Sequence, residues 1–402
     1  MLVILGWFNI YAAVYSDDVV LSIFDASQNS GRQFYFILVT IILLIAILTI
    51  DLKFFENFGI GFYIIFCLML VSVLIFGKEI NGAKSWFQIG PLGLQPSEFA
   101  KFSTALVLAK ILSDHNVRLD KSEVLLKIAG IILFPVALIL LQPDAGTALV
   151  FFAFVLVLFR EGLTPVPIVL ALVFGIVFIL TLLVKDLYLY IGAFGLALLF
   201  FLLGKKTTKR GLYGLLGFFI LAGMVYSFDF VFNKVLKERH QNRIMVLFDS
   251  ELDPQGVGYN LYQSKLAIGS GGLTGKGYLK GTQTKGDFVP EQSTDFIFCT
   301  IGEEHGWIGS FFLIVLYVGL ILRVIFLAER QKWRFVRVYG YSVACILLMH
   351  FALNISMTIG LFPVIGIPLP FFSYGGSSLW SFSILIFILI KLDAHRMQLL
   401  NR

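Results

Sequence analysis

The 402-residue sequence predicts an all-α polytopic membrane protein, and three observations lead there. Apolar residues make up 58% of the chain and charged residues only 14%, against roughly a quarter charged in a typical soluble domain. The mean hydropathy of +0.89 exceeds what a water-facing surface tolerates, because polar groups must cover a soluble globule. No stretch alternates apolar and polar residues at period two, as a membrane β-barrel would require. An ordinary soluble enzyme and a nucleic-acid-binding chain are excluded, and the net charge of +6 reads as membrane orientation.

A spanning helix needs about 20 mostly apolar residues. Twelve such runs lie near 1–15, 35–50, 57–76, 98–112, 123–142, 146–160, 165–184, 187–203, 212–232, 307–328, 338–360 and 377–392. The first is short, yet it has no basic leader and no small-residue cleavage site, so it reads as a span and not a cleaved signal. The fourth carries charges, Glu98 and Lys101 among them. Orientation follows from Lys and Arg in short connections. Lys205, Lys206, Lys209 and Arg210 crowd one turn, Arg330, Lys332, Arg334 and Arg337 another, and Lys391, Arg396 and Arg402 follow the last span. Both termini are therefore expected in the cytoplasm, with 77–97, 233–306 and 361–376 on the outer face. The stretch 233–306 is too long to be mere connection. The whole chain, 1–402, reads as one integral membrane domain.

The outward segments hold the groups able to do chemistry. Ser293 or Thr294 is placed to cap a helix, which puts Asp295 in a first turn and Glu303 about 80° around the same helix. Glu304 then falls on the opposite side. Pro96-Ser97-Glu98 opens the fourth span, with Ser97 as cap and Glu98 and Lys101 as i,i+3 neighbours. Ionised groups at membrane depth face a cavity or each other. Asp144, in Gln142-Pro143-Asp144-Ala145-Gly146-Thr147, is equally a turn residue or a ligand. Gly269–Gly277 is glycine-rich but lacks the ending of a nucleotide-binding loop. Outward Lys84, Arg243, Lys265 and Lys276 suit an anionic partner such as a lipid phosphate or pyrophosphate. Cys67, Cys299 and Cys345 are too far apart for a disulfide framework or a thiolate metal site, and the five histidines show no zinc spacing.

Eight stretches together resemble one family. They are Gly82-Ala83-Lys84-Ser85-Trp86, Gln95 to Lys101, Gln142 to Thr147, Asn242-Arg243-Ile244, Ile268 to Leu273, Pro290 to Phe298, Ile301-Gly302-Glu303-Glu304, and Pro370 to Ser378. In order along the whole chain, they are similar to the SEDS proteins (shape, elongation, division and sporulation) of the RodA/FtsW/SpoVE type. The absence of an extended cytoplasmic tail before the first span looks more like the elongation branch, RodA.

The resemblance implies a peptidoglycan glycosyltransferase that polymerises lipid II on the outer face of the bacterial cytoplasmic membrane, releasing undecaprenyl pyrophosphate. It implies Asp295 as the catalytic residue. Lys84, Trp86, Glu98, Lys101 and Arg243 are implied to bind substrate, with Glu303, Ser270 and Ser373 supporting. No organic cofactor is expected; a divalent cation, magnesium or manganese, fits the chemistry. A class B penicillin-binding protein is the expected partner, alongside membrane lipids and no nucleic acid. The family core has ten spans, so the expected surplus is a hairpin at 187–232, before the large outer loop 233–306 and the last three spans. Gln292-Ser293 departs from the family's usual residues, which carry a histidine there. The rival reading is a flippase for the same lipid-linked precursor; its many spans and intramembrane charges fit equally, its one-sided polar groups less well.

Overall fold

The computed structural model describes residues 1–16, 22–80, 82–90, 92–114, 117–203, 208–236, 238–248, 257–286 and 288–395. Lys205, Lys206, Arg396 and Arg402, used above for orientation, lie outside them. The chain divides into two compact units, Met1–Leu163 with Val246–Arg402, and Thr164–Met245.

A helix stands at each of the twelve apolar runs. In the first unit these are α1 (Leu2–Val14), α2 (Asn29–Thr49), α3 (Leu52–Phe76), α4 (Pro96–Ser113) and α5 (Ser122–Leu141). The sixth run is split into α6 (Ala145–Val150) and α7 (Ala153–Arg160). In the second unit α8 (Val166–Leu183), α9 (Asp186–Leu202) and α10 (Thr208–Phe230) follow, with a short α11 (Glu238–Met245). The chain then re-enters the first unit through α12 (Val257–Ser270) and α13 (Thr282–Lys285), and ends in α14 (Ile297–Glu329), α15 (Arg334–Thr358) and α16 (Gly376–Ala394). Among the described residues, eight helices are long and apolar enough to cross a membrane, and three shorter apolar helices accompany them.

Burial separates the core from the rim. α4 buries 15 of its 18 residues, and α15 is two-thirds buried over its most apolar window. These two pack on each other, with α3, α14, α7 and α16 around them, so their polar residues face protein and not lipid. α8 has no buried residue. Within the second unit, Phe174 and Phe178 of α8 meet Phe228 of α10, and Phe194 of α9 meets Phe218. The compact unit therefore takes in α8 as well as the 187–232 pair.

Three local features differ from the sequence reading. Segment 77–97 folds as an antiparallel three-stranded sheet, β1 (Lys78–Ile80), β2 (Ala83–Ile89) and β3 (Leu92–Leu94), with Lys78 opposite Trp86 and Phe87 opposite Leu94. β1 and β3, of three residues each, are too short to show a period, and β2 breaks alternation at Lys84-Ser85 and Trp86-Phe87. α4 is preceded by Gln95, with Pro96 at its first position, where a missing N–H costs nothing; Ser97 is therefore inside the helix and does not cap it.

α14 begins only at Ile297, after Phe296, so neither Ser293 nor Thr294 caps it and Asp295 lies in the preceding turn. Ser293 Oγ instead accepts from Asn29 Nδ2 (3.0 Å), and Thr294 Oγ1 donates to Glu291 (2.9 Å).

α14 is also broken at Gly306 (φ 62°, ψ −156°). The glycine-rich segment fills the break. Trp307 and Ile308 N–H donate to the Gly272 and Leu273 carbonyls, while Lys276 and Gly277 N–H donate to the Glu303 and Glu304 carbonyls, all at 2.9–3.1 Å. Gly275 sits so close that a Cβ there would lie 2.1 Å from the Glu304 oxygen. These amides and carbonyls replace the helix's own lost hydrogen bonds.

Candidate active site

Asp295 occupies the turn between Glu291 and α14, and other parts of the first unit hold that turn from several sides. Asn354 of α15 donates through Nδ2 to the Asp295 carbonyl (2.8 Å) and to the Ile367 carbonyl (2.7 Å). Ser373 Oγ donates to the Thr294 carbonyl (2.6 Å) and accepts from Leu369 N–H (2.8 Å). Tyr374 N–H donates to the Ser293 carbonyl (2.9 Å). The loop 359–375 and the Asp295 turn are thus stitched together by one side-chain amide and one hydroxyl, both from buried residues, and by one backbone N–H.

Gly366 (φ +70°) lies against the carboxylate: a Cβ there would be 3.1 Å from Asp295 Oδ2. The left-handed backbone and the missing side chain both require glycine. Gly146 of α6 does the same for the loop's outer side, since a Cβ there would lie 2.5 Å from the Ile365 oxygen. That contact explains the glycine after Asp144. Asp144 itself caps α6 through Thr147 N–H (3.0 Å) and accepts from Gln95 Nε2 (2.9 Å).

One turn before Asn354, α15 carries His350, and i,i+4 spacing puts both on one helix face. His350 Nε2 lies 2.7 Å from Lys101 Nζ, and its Nδ1 lies 3.2 Å from the Pro368 carbonyl. Lys101 Nζ also pairs with Glu98 Oε2 at 2.9 Å, as the i,i+3 spacing predicted, and both side chains are almost wholly buried. The ammonium lies 4.9 Å from the Phe382 ring centroid, and Ser381 Oγ donates to the Glu98 carbonyl (2.6 Å). A continuous polar row, Glu98–Lys101–His350–Pro368–loop–Asn354–Asp295, therefore runs from the start of α4 to the turn before α14.

The other candidates sit elsewhere. Glu303 is fully buried, but it binds the 276–284 segment: its oxygens accept from Lys276 Nζ (2.7 Å) and from Thr282, Gln283 and Thr284 N–H (2.7–2.9 Å). Glu304 accepts from Leu279 N–H (3.0 Å). Both acids therefore grip one loop, because the helix that was to carry Asp295 alongside Glu303 starts two residues too late. Lys84 Nζ donates to the Ile75 carbonyl at the end of α3 (2.9 Å), and Trp86 covers Gly93 in the sheet. Ser270 bonds back to Ala267 of its own helix (2.8 Å). Arg243 belongs to α11 of the second unit.

Two phenols outside the spans are shifted. Burial raises Tyr374 above its ordinary value, against the pull of neighbouring Arg32. Burial, aided by the charge of Glu304, pushes Tyr278 up to about 12. Among the described residues no three His, Cys, Asp or Glu side chains gather to hold a metal ion.

Sequence reasoning missed His350, Asn354 and Gly366. For the first two the available signal was a histidine and an asparagine four apart in the mostly apolar run 338–360.

Residues 1–191 and 188–398 match the model of the FtsW/RodA/SpoVE cell cycle proteins. The peptidoglycan glycosyltransferase RodA of Treponema pallidum is 33% identical, with 96% of this chain and 94% of the relative covered. The peptidoglycan glycosyltransferase MrdB of Escherichia coli is 34% identical, with 96% and 91% covered. A chain from a peptidoglycan synthase complex that coordinates polymerization and crosslinking superposes with a TM-score of 0.71 at 25% identity, covering 99% of this chain and 96% of that one. The crystal structure of the rod shape determining protein RodA of Thermus thermophilus superposes with a TM-score of 0.62 at 25% identity, covering 98% and 94%. With this match along its whole length, the chain belongs to the FtsW/RodA/SpoVE family, the SEDS proteins.

Proposed function

We propose that this chain is a peptidoglycan glycosyltransferase that polymerises lipid II during cell elongation, with Asp295 as its catalytic base. Relatives bearing the glycosyltransferase name across nearly the whole chain support the activity. The observation that carries the site is the clamped turn. Asn354, Ser373 and the Tyr374 amide hold the backbone of Ser293–Asp295 while Gly366 leaves room for the carboxylate.

In the proposed reaction the 4-hydroxyl of one sugar attacks the anomeric carbon of a second, lipid-linked sugar. The bond to the pyrophosphate breaks and undecaprenyl pyrophosphate leaves. Asp295 takes the hydroxyl proton, a role worth about 10²–10⁴ in rate. Lys84 and Arg243 are proposed for the departing pyrophosphate, where charge develops. Lys101 has its ammonium committed to Glu98 and His350, so its proposed part is to set the frame behind the loop. Glu303 acts at one remove, by fixing the loop against α14. Among the described residues no three acidic, histidine or cysteine side chains gather to hold a metal ion, so a divalent cation would be brought with the pyrophosphate.

This reading places Asp295 on the outer face of the inner membrane, with both termini in the cytoplasm. The proposed partner is a class B penicillin-binding protein, in keeping with the synthase complex among the structural relatives.

The test is purified full-length Asp295→Asn given lipid II in detergent. Loss of glycan polymer by about 10²-fold or more, with an unchanged unfolding midpoint, is expected. Polymer at the normal rate, with no other polymerase present, overturns the assignment. Movement of lipid II across vesicles without polymer, from the unaltered chain, would favour the flippase instead.

A further inference from the structure

Ile367-Pro368-Leu369-Pro370 leads the loop back to the Asp295 turn, and proline has no N–H. This stretch therefore offers four carbonyls against two amides, and carbonyls carry its attachment to the helices. Asn354 donates to Ile367 (2.7 Å), and the Tyr317 hydroxyl of α14 donates to Pro370. The Leu369 carbonyl accepts from Phe372 and Ser373 N–H (3.1 and 3.0 Å). That closes a turn in which Phe371 takes a left-handed backbone (φ 65°). A bulky residue is strained there and persists only where its surroundings over-determine it. The remaining carbonyl, of Pro368, faces His350 Nδ1 at 3.2 Å.

The two polar contacts of His350 fix where its proton sits. Its Nε2 lies 2.7 Å from Lys101 Nζ, which is paired with Glu98. An ammonium has three donors and no acceptor, so Nε2 must accept. A carbonyl only accepts, so Nδ1 must carry the hydrogen. Both ends demand the same tautomer. The ring is buried and stands edge-on to Phe382, 4.7 Å between centroids, so packing holds it in that orientation.

From that proton onward every donor points the same way. Pro368 C=O and Leu369 N–H belong to one planar peptide. The Leu369 N–H donates to Ser373 Oγ (2.8 Å), which turns the hydroxyl's own hydrogen away, toward the Thr294 carbonyl (2.6 Å). Thr294 C=O shares its peptide with the Asp295 N–H. A charged donor at the head of such a row strengthens the bonds that follow. We propose that His350 is a positioning residue for Asp295. Its Nδ1 proton carries the pull of the buried Lys101 ammonium through the Pro368–Leu369 peptide and the Ser373 hydroxyl to the Asp295 turn. The proposal rests on the reading of Asp295 as the catalytic carboxylate. His350 acts at one remove, setting where that carboxylate stands when the sugar hydroxyl arrives.

Two measurements on the full chain, purified in detergent, test it. NMR of the ring nitrogens in histidine-labelled protein, with His350 assigned by the signals lost in His350→Gln, should show Nδ1 protonated and Nε2 bare. A proton on Nε2 overturns the relay whatever the role of Asp295. The second measurement is polymerisation of lipid II. His350→Leu should lower turnover about 10-fold, the effect of one hydrogen bond, with apparent KM unchanged. His350→Gln, which keeps an acceptor for Lys101 and a donor for Pro368, should recover most of that loss. In a Ser373→Ala background, His350→Leu should cost less than about 2-fold more, because the row is already cut. Independent, multiplying losses, normal turnover in His350→Leu, or a glutamine variant as slow as the leucine one each overturn the positioning role. If His350→Leu does not fold, Ser373→Ala alone, which leaves Lys101 paired, should fall about 10-fold at constant KM; normal turnover there overturns the route. Asp295→Asn run alongside separates the two readings. Normal polymer from it removes the catalytic assignment, whereas its inactivity beside normal turnover in His350→Leu removes the positioning role alone.

Discussion

At the Asp295 end of the first unit, charge is sunk into the protein. Glu98 and Lys101 are 2% and 0% exposed, and each neighbour that touches them comes from another helix. Toward the far ends of α7, α14, α15 and α16 the ion pairs are mixed: the Arg160–Glu329 pair is open to solvent, while the Glu161 and Asp393 side chains are 3% and 13% exposed. Arg160 pairs with Glu329 at 2.8 Å with both side chains about half exposed. Glu161 takes Arg334 and Arg337 at 3.1 Å, and Arg330 pairs with Asp393, where Gln331 joins.

Exposed pairs contribute about 0–1 kcal/mol. A buried pair contributes little net, yet losing one member is severe because the other charge is stranded. The Arg160–Glu329 pair is a replaceable marker of the side that carries the arginines. The buried pair is a constraint on geometry, and it is connected to the Asp295 turn through a single helix face.

The largest break in this contrast should come from Lys101→Met, which strands Glu98. Destabilisation by about 3–5 kcal/mol is expected, read as a fall in the unfolding midpoint in detergent. Adding Glu98→Gln should recover most of it; a double variant as unstable as the single one would show that the ammonium is held by something other than Glu98.

Asn354→Leu removes two hydrogen bonds and should cost about 1–3 kcal/mol. Polymerisation should fall further than stability explains, with lipid II binding little changed, because the turn loses its position and not its charge.

Gly366→Ala should cost about 1 kcal/mol for the left-handed backbone and press on Asp295 Oδ2. The turnover rate should drop while the apparent KM holds. A rise in KM alone would argue that the loop binds substrate and does not place the carboxylate.

Smallest of all, Arg160→Ala should shift stability by at most about 1 kcal/mol, and less at high salt. A larger, salt-independent loss would erase the distinction between the two ends.

The sequence made some of this legible for physical reasons. A long apolar helix announces itself by length and composition, so a helix stands near each of the twelve expected runs, eight of them, among the described residues, long and apolar enough to cross a membrane. Glu98 and Lys101 were legible as a pair because i,i+3 neighbours on a helix meet whatever surrounds them. The Asp295 partners were not, since His350 and Asn354 reach across the fold to residues 249 and 59 positions away, and periodicity carries no long-range information. The helical phase joining Asp295 to Glu303 failed because it assumed an unbroken helix from Ser293. The sheet at 78–94 and α12 escaped for another reason: both lie in segments between the apolar runs where alternation and amphipathicity are too short or too weak to register.

The placement of α1 also sets a timetable. Asn9 finds its partner 288 residues later, and the Ala13 carbonyl finds Gln292 after 279. At about 5–20 residues per second of synthesis, roughly 15–60 s separate the emergence of α1 from that of its seat. During that interval a 13-residue helix, shorter than the bilayer is thick, has only α2 and the surrounding lipid for company. Closing so long a loop is intrinsically slow. The Asp295 turn is therefore completed in the last stage of membrane assembly, so a ribosome-stalled chain ending before α14 should leave α1 open to membrane-side labelling at a cysteine placed at Ile10.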